Sequence, residues 1–226
     1  MRINRYLARA GVASRRKVEE LISSGKVKVN GNIITSLSTT IEPNKDEVFL
    51  EGARIELPKQ IYLMLNKPVG YTTTRADAHA EKTVFELLPV DSSLITVGRL
   101  DRETSGLLLV TNDGDFAQNI IHPSQKIEKI YIATLGKGIS EPDLEKLVKG
   151  VVLEDGPAKF TYAKSIGDNK VEVGIEEGRN KIVRRMFDIV SNPVKSLERI
   201  RIGTITLDVP PGEYRELSQE EVARYA

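Results

Sequence analysis

Apolar residues recur every three or four positions in two short stretches near the start of the chain. The members of these two stripes are Ile3, Leu7 and Ala10, then Val18, Leu21 and Ile22. Gly11 and Gly25 follow the stripes as helix stops, and Ser14 precedes the second stripe as a capping residue. The spacing predicts two short helices.

A different periodicity begins directly after Gly25. Residues 26–29 alternate between polar and apolar, and Asn30-Gly31 is a dipeptide favoured in tight hairpin turns. Residues 32–35 can return as the second strand of that hairpin, and a third strand is predicted at residues 47–50.

The strand pattern is interrupted around residues 57–60, and we predict the domain boundary there. Residues 1–58 form the predicted first domain, which would have a thin core at that size. Residues 61–226 form the predicted second domain.

Strand-like runs outnumber helical ones from residue 61 onward. The strand-like runs cover residues 61–65, 94–97, 107–111, 129–135, 160–166, 170–175 and 194–200. The helical stretches cover residues 84–88, 115–121, 141–148 and 181–190. The order predicts an α+β protein, in which a small αα-β domain precedes a mixed, largely antiparallel sheet.

The amino-acid composition limits the catalytic and metal-binding groups that the protein can use. The chain has no cysteine and two histidines, which excludes disulfides, thiolate nucleophiles, zinc clusters and most histidine-based acid–base machinery. No apolar run approaches the 18 or so residues that a membrane helix needs, so no membrane association and a cytoplasmic location are expected. Catalysis would have to use carboxylates, Tyr, Lys or Arg.

Charge is unevenly distributed although the net value is only +1. Residues 1–31 carry eight basic and two acidic side chains, and residues 179–201 carry seven basic and two acidic ones. Two such clusters suggest two contacts with one polyanionic partner. Charge alone leaves open the alternative of ordinary solvated surface.

The stretch with the most chemical information covers residues 98–114, GRLDRETSGLLLVTNDG. An apolar strand breaks there into a polar loop and then resumes, and loops between buried strands are rigid mounts for reactive groups. Asp101 lies between Arg99 and Arg102, which would keep it ionised and able to act as a nucleophile. The local pattern leaves a second interpretation open, in which Asp101 only caps a turn beside Thr104.

This stretch resembles the signature of the pseudouridine synthases, in the RsuA/RluB branch that modifies ribosomal RNA. Three further segments agree in the same order: NKPVG at 66–70, KIY at 129–131 and EGRNKIVRRM at 177–186. The SRRK sequence at 14–17 and the GKVKVNG turn at 25–31 resemble the S-four RNA-binding domain that usually precedes the catalytic domain in this family.

The resemblance assigns roles to three residues. It implies that Asp101 is the obligatory carboxylate, acting either on the ribose or on the uracil ring. It implies that Tyr131 stacks on the target uracil, as a candidate for assisting removal of the proton at carbon five, and that Arg184 forms an ion pair with Asp101. The family reaction needs no cofactor and no metal.

The predicted RNA contacts are basic or polar residues from both domains. They are Arg2, Arg5, Arg15, Arg16, Lys17, Lys26, Lys28, Arg99, Arg102, Arg179, Asn180 and Arg185. The expected partner is ribosomal RNA or a ribosomal assembly intermediate, and the expected oligomeric state is a monomer.

Two questions remain at this point: which ribosomal subunit supplies the RNA, and whether the protein is an enzyme or only an RNA-binding factor. The KPVG motif and the LEDGPAKF stretch at 153–160 resemble the members that act on large-subunit RNA more than those that act on small-subunit RNA. A rival interpretation is an RNA-binding or ribosome-assembly factor that keeps the fold without the chemistry, and the intact motifs argue against it.

Overall fold

A computed structural model of the chain describes residues 1–43, 45–74, 82–91 and 93–225, with only the backbone at Arg15. The chain divides into two compact units. The first unit contains Met1–Ile61 together with the short segments Asp91–Ile95 and Thr111–Gly114. The second unit contains the rest of the described chain.

Both helices predicted for the start of the chain are present. Helix α1 covers Ile3–Arg9 and helix α2 covers Arg15–Ser23. Ser14 caps α2, since its hydroxyl oxygen accepts a hydrogen bond of 3.4 Å from the backbone N–H of Lys17.

The first unit also contains a four-stranded antiparallel sheet. Its strands are β1 Val27–Val29, β2 Asn32–Ile34, β3 Val48–Leu50 and β4 Ala53–Ile55, in the order β2-β1-β3-β4. Asn30 and Gly31 have φ angles of 50° and 82°, which is the left-handed backbone that the predicted tight hairpin requires. Strand β4 was not predicted.

The two helical stripes supply the core of this unit. Ile3, Leu7, Val18 and Ile22 are fully buried and pack with Val27 of β1 in one apolar cluster. The apolar periodicity of the sequence therefore corresponds to the face that each helix buries.

The remaining strands of the described residues form a nine-stranded sheet and a separate hairpin. They are β5 Tyr62–Lys67, β6 Ile95–Val97, β7 Thr104–Thr111, β8 Lys129–Leu135, β9 Val151–Leu153, β10 Gly156–Ala158, β11 Tyr162–Gly167, β12 Lys170–Ile175, β13 Val194–Ile202, β14 Ile205–Thr206 and β15 Tyr214–Glu216. The main path of the large sheet is β11-β12-β8-β13-β7-β5-β15, and β9 pairs with β10 as the hairpin.

Strand direction in the large sheet is mixed. Strands β11, β12, β8 and β13 pair antiparallel in that order, whereas β13 pairs parallel with β7. The predicted α+β class with a mixed, largely antiparallel sheet is confirmed.

In the part of the chain that the structure describes, four α-helices accompany the sheet. They are α3 Gly114–Ile121, α4 Glu141–Lys149, α5 Ile182–Ile189 and α6 Gln219–Ala223. The helix predicted at residues 84–88 is instead a single 3₁₀ turn over Val84–Leu87. Leu88 is already extended, as expected for a residue that precedes a proline.

Two apolar clusters hold the second unit together. Helix α5 contributes Ile182, Val183, Met186 and Phe187 to the first, and this packing fixes the helix against the sheet. Leu107 and Leu109 of β7 belong to the second, with Phe116 of α3. Among the described residues, no helix is both long and apolar enough to span a bilayer.

Candidate active site

The loop that carries Asp101 is hydrogen-bonded on both sides of that residue. The Thr73 hydroxyl donates to the carbonyl oxygen of Leu100 at 2.7 Å, and the Leu100 N–H contacts the same hydroxyl at 3.3 Å. The backbone N–H of Thr104 donates to the carbonyl oxygen of Asp101 at 3.0 Å. The Asp101 side chain therefore starts from a fixed backbone position.

Lys67 lies beneath this loop with none of its surface exposed. Its ammonium group donates to the carbonyl oxygens of Thr104 at 2.7 Å, Pro68 at 3.0 Å and Arg102 at 3.5 Å. Burial lowers the pKa of Lys67 to about 8, although the negative charge of Asp101 acts in the opposite direction. The lysine of the NKPVG segment thus links β5 to the backbone on the far side of Asp101.

The Asp101 carboxylate is half-buried and faces a cleft. Within the described part of the chain it has no hydrogen bond and no ion pair, unlike the clamped backbone around it. Its oxygen atoms can therefore interact with a molecule that enters the cleft.

Tyr131, on β8, also lines this cleft. Its direct cross-strand neighbour is Arg199 of β13, whose Nη1 donates to the Tyr131 hydroxyl oxygen at 3.4 Å. On its other side, Arg199 pairs with Gly106 of β7, and Gly106 has a φ angle of 103°. A Cβ atom at Gly106 would overlap with the backbone of Arg199, so only glycine permits this approach of β7 and β13.

Lys129 precedes Tyr131 by two positions on the same strand, and both side chains line the cleft. The Lys129 ammonium donates to the carbonyl oxygens of Ile127 at 2.9 Å and Glu176 at 2.8 Å. Burial, followed by the positive charge of Arg199, lowers the pKa of Lys129 to about 8. This lysine therefore changes charge closer to neutral pH than an exposed lysine does.

The cleft enclosed by these groups has a volume of about 910 Å³, within the range of sites that bind small organic groups. Its remaining walls come from residues 176–183 and from apolar side chains of α3 and β13. In the described residues, no three histidine or acidic side chains gather as a metal site. The cleft thus combines the Asp101 carboxylate and the Tyr131 phenol with several cations, of which Lys129 and Arg199 lie beside Tyr131 on β8 and β13.

The ion pair predicted between Arg184 and Asp101 is wrong for this structure. The Arg184 guanidinium donates instead to the backbone carbonyl oxygens of Val194 at 2.9 Å and Glu103 at 3.1 Å. Because α5 packs its apolar face on the core, Arg184 reaches the loop two residues beyond Asp101. It can hold the Asp101 loop only through the backbone.

Comparison with known proteins identifies the family. Residues 61–188 match the model of the RNA pseudouridylate synthases, and residues 1–47 match the S4 domain, which is the S-four domain of the sequence analysis. The chain belongs to the RNA pseudouridylate synthase family. The catalytic match contains both the Asp101 loop and Tyr131.

Relatives cover nearly the whole chain. The ribosomal large subunit pseudouridine synthase B of Bacillus subtilis is 39% identical over 99% of this chain and 94% of its own length. An uncharacterized RNA pseudouridine synthase of Aquifex aeolicus is 40% identical over 99% of this chain and 93% of its own. A crystal structure of a pseudouridylate synthase aligns over 100% of both chains, with a TM-score of 0.72 and 31% identity.

Two of the predicted RNA-contacting residues of this synthase form ion pairs within the protein. Arg179 and Arg185 both donate to the carboxylate of Asp155, which lies in the turn between β9 and β10, at 2.8 Å. Arg185 adds a second bond of 2.9 Å, and its hydrogen bonds lower the pKa of Asp155. Arg179 also pairs with Glu177. An RNA phosphate would share these two arginines with carboxylates.

Other predicted contacts have more varied surroundings. Arg99 and Asn180 line the cleft. In the first unit, Lys17 pairs with Glu20 and Lys26 pairs with Glu51, each at 2.7 Å. The exposed predicted contacts in that unit include Arg2, Arg16 and Lys28. The side chain of Arg15 lies outside the described parts of the chain.

Lys129 and Arg199 were not predicted as site residues. A signal for Lys129 is present, because it is two positions from Tyr131 on a predicted strand and must share its face. Arg199 has no such signal, since only the cross-strand register places it opposite Tyr131. In the sequence it contributes only one charge of the second basic cluster.

Proposed function

We propose that this protein converts a uridine of large-subunit ribosomal RNA to pseudouridine, with Asp101 as the nucleophile. The observation that carries the proposal is the Asp101 carboxylate, which has no hydrogen bond or ion pair among the described residues and lines the same cleft of about 910 Å³ as Tyr131. A carboxylate that is clamped only through its backbone can bond to a reacting carbon without first breaking an ion pair.

The reaction exchanges one bond of the base for another. The bond between N1 of uracil and C1′ of ribose breaks, the ring turns, and C5 bonds to C1′. The proton at C5 leaves and N1 gains a proton, so the overall change is an isomerisation. Asp101 acts on the ribose carbon or on the uracil ring, and the family chemistry is compatible with either route.

The target nucleotide must leave its stack to reach Asp101. Flipping a base costs a few kcal/mol, and stacking on an aromatic side chain returns roughly 1 to 3 kcal/mol. Tyr131 supplies that aromatic surface in this proposal, and the size of the cleft supports entry of one base. Arg184 acts by holding the Asp101 loop through the carbonyl oxygen of Glu103.

The choice of RNA rests on the relatives and on the first unit. The relative from Bacillus subtilis is named for the large ribosomal subunit, and the first unit matches a domain family typical of RNA-binding proteins. We expect the basic residues of that unit to contact phosphates and thereby to position the RNA without reading its sequence. The expected setting is the cytoplasm, and the expected form is a monomer.

The nucleophile is tested by tritium release from ribosomal RNA labelled at C5 of uracil. We expect Asp101→Asn and Asp101→Ala to release no tritium while their affinity for the RNA stays unchanged. Asp168→Asn is the matched control, because Asp168 is exposed in the turn between β11 and β12 at a φ of 48°, which asparagine tolerates. Equal release by the Asp101 variants and the wild type would refute the assignment and favour a binding protein.

The target is tested in cells. Mapping pseudouridines in ribosomal RNA from cells that lack the gene should reveal one missing modification in the large-subunit RNA. Restoration by the wild-type gene, but not by the Asp101→Asn variant, would assign that position to this enzyme. A missing position in small-subunit RNA would contradict the subunit assignment alone.

A further inference from the structure

Arg199 is a buried cation in the wall of the cleft, with 4% of its surface exposed. Its Nε donates to the carbonyl oxygen of Leu107 at 2.7 Å, and its Nη1 makes the long contact with the Tyr131 hydroxyl. Its Nη2 is buried and has no hydrogen-bond acceptor. One edge of the guanidinium group is therefore anchored to β7 while one donor remains unused.

Stability alone does not account for this arrangement. A buried cation is normally matched by a carboxylate, because desolvation of an unpaired charge is costly. Among the described residues, no acidic side chain lies within ion-pair distance of Arg199. The neighbouring positive charge of Lys129 makes the site less favourable still. We therefore expect the unused Arg199 donor to bind an acceptor atom of a molecule that enters the cleft.

The reaction supplies an acceptor of the right kind. When the bond between N1 and C1′ breaks, its electron pair stays with the uracil ring, and the negative charge spreads to the carbonyl oxygens O2 and O4. If Asp101 instead adds to the ring, the negative charge also reaches a carbonyl oxygen. Fixed donors placed where charge develops are among the strongest devices of enzyme catalysis.

We propose that Arg199 is a further catalytic residue, whose free Nη2 donates to a carbonyl oxygen of the target uracil and stabilises the negative charge that develops there. The inference rests on the proposed function. The Arg199 Cζ lies over the Tyr131 ring, 6.0 Å from its centre, so a uracil that stacks on this same face would lie beside the guanidinium group. Arg199 keeps all its protons throughout, and the proton for N1 comes from another group.

Access to Nη2 requires a small displacement, because this atom has no exposed surface in the free protein. Of the two hydrogen bonds of the guanidinium group, the one to Tyr131 is the weaker, since 3.4 Å is long for a hydrogen bond. A shift of Tyr131 onto the incoming base would open the donor, whereas the 2.7 Å bond to Leu107 would keep the guanidinium in place.

The test combines a protein change with a change of one atom in the RNA. The substrate is an RNA fragment on which the wild type is active. Three versions are compared: one with the unmodified target uridine, one with sulfur in place of oxygen at position 2 of that uridine, and one with sulfur in place of oxygen at position 4. Sulfur is a weak hydrogen-bond acceptor, so it weakens a bond from Arg199 while retaining the ring. Single-turnover rates are measured for the wild type and for Arg199→Gln, Arg199→Lys and Arg224→Gln. Arg224 is an exposed arginine of the same unit and serves as the matched control.

We expect Arg199→Gln to lower the single-turnover rate about 100-fold or more while RNA affinity changes less than about 3-fold. One of the two sulfur substitutions should slow the wild type and the Arg224→Gln variant about 10-fold more than it slows Arg199→Gln. Arg199→Lys keeps the charge without the fork of donors and should give an intermediate rate. Thermal unfolding checks that each variant is folded, and Arg199→Lys carries the comparison if Arg199→Gln is not.

The proposal is overturned if both sulfur substitutions slow the wild type and the folded Arg199 variant equally. It is also overturned if the rate falls only in proportion to RNA affinity. These outcomes are distinct from failure of the Asp101 assignment, which appears as tritium release by Asp101→Ala, because the sulfur comparison reports on Arg199 whichever group is the nucleophile.

Discussion

Gly106 and Arg199 pair across parallel strands at a distance that leaves no room for a side chain on Gly106. The pairing places Arg199 between β7 and β8 and so sets the position of the cation beside Tyr131. A glycine in the signature stretch is thus needed for the position of a residue 93 places later in the chain.

Replacing this glycine should destabilise the second unit. We expect Gly106→Ala to lower the free energy of unfolding by about 1 to 3 kcal/mol or more, because alanine is strained at positive φ and its Cβ would push β13 away. Urea unfolding measures the change. Gly138→Ala is the control, since Gly138 is exposed and an added Cβ there meets only ordinary contacts. A Gly106→Ala protein as stable as the control would contradict the packing argument.

Lys67 should make stability depend on pH in the alkaline range. Its pKa of about 8 in the folded protein is below the 10.5 of an ordinary lysine, so the unfolded chain binds this proton more tightly. Between pH 8 and 10.5 the unfolded state still holds the proton that the folded state has released, and the contribution of Lys67 to stability therefore rises with pH.

The measurement is urea unfolding of the wild type and Lys67→Met from pH 7 to pH 10. The wild type should gain stability relative to the variant by up to about 1 kcal/mol per pH unit above pH 8. Lys67→Met should be the less stable protein at pH 7, because it removes the ammonium donor from the carbonyl oxygens of Thr104, Pro68 and Arg102. A constant difference across the range would show that Lys67 does not titrate there.

Arg184 should affect turnover through the loop and not through the charge of Asp101. We expect Arg184→Lys to lower the rate of pseudouridine formation about 10-fold to 100-fold, because one ammonium cannot span the carbonyl oxygens of Val194 and Glu103 as the guanidinium does. RNA affinity should change little.

Glu103→Gln is the control for that prediction, since it keeps the backbone oxygen that Arg184 contacts. Tritium release measures the rate of both variants. A Glu103→Gln variant as slow as Arg184→Lys, or an Arg184→Lys variant as fast as the wild type, would contradict the role of this backbone contact.

The basic patch of the first unit should act by neutralising RNA phosphates. Replacing Arg15, Arg16 and Lys17 together with alanine should weaken binding to ribosomal RNA and flatten its salt dependence, by up to about 0.9 in the logarithmic slope for each phosphate that is no longer neutralised. Lys45→Ala is a control in the same unit, at an exposed lysine that pairs with Glu42. Binding that is unaltered at every salt concentration would refute the docking role.

The sequence predicted those parts of the fold in which a local period or a turn residue determines the structure. The two N-terminal helices and the Asn30-Gly31 hairpin are examples, because apolar spacing and left-handed turn residues act over a few positions. The short strands β4, β9 and β14 were not predicted. A helix was predicted at residues 84–88, but the structure has only a 3₁₀ turn there, because Pro89 forces Leu88 out of helical geometry.

The sequence predicted the site residues that belong to a motif within one segment, but not the contacts between segments. Asp101 and Tyr131 belong to motifs, and the structure brings both to one cleft. The partner of Tyr131 is chosen by the register between β8 and β13, and the acceptors of Arg184 are backbone atoms of distant segments. No side-chain pattern in a sequence reports a bond to a carbonyl oxygen.

The two arginines that share the Asp155 carboxylate have a mechanical effect as well as an electrostatic one. They fasten the β9–β10 hairpin to residues 179–185, a segment that both rims the cleft and starts α5. A change in the hairpin is therefore transmitted directly to that rim, although some 25 residues of chain separate them. The hairpin thus supports the rim of the cleft without contributing any of the residues that line it.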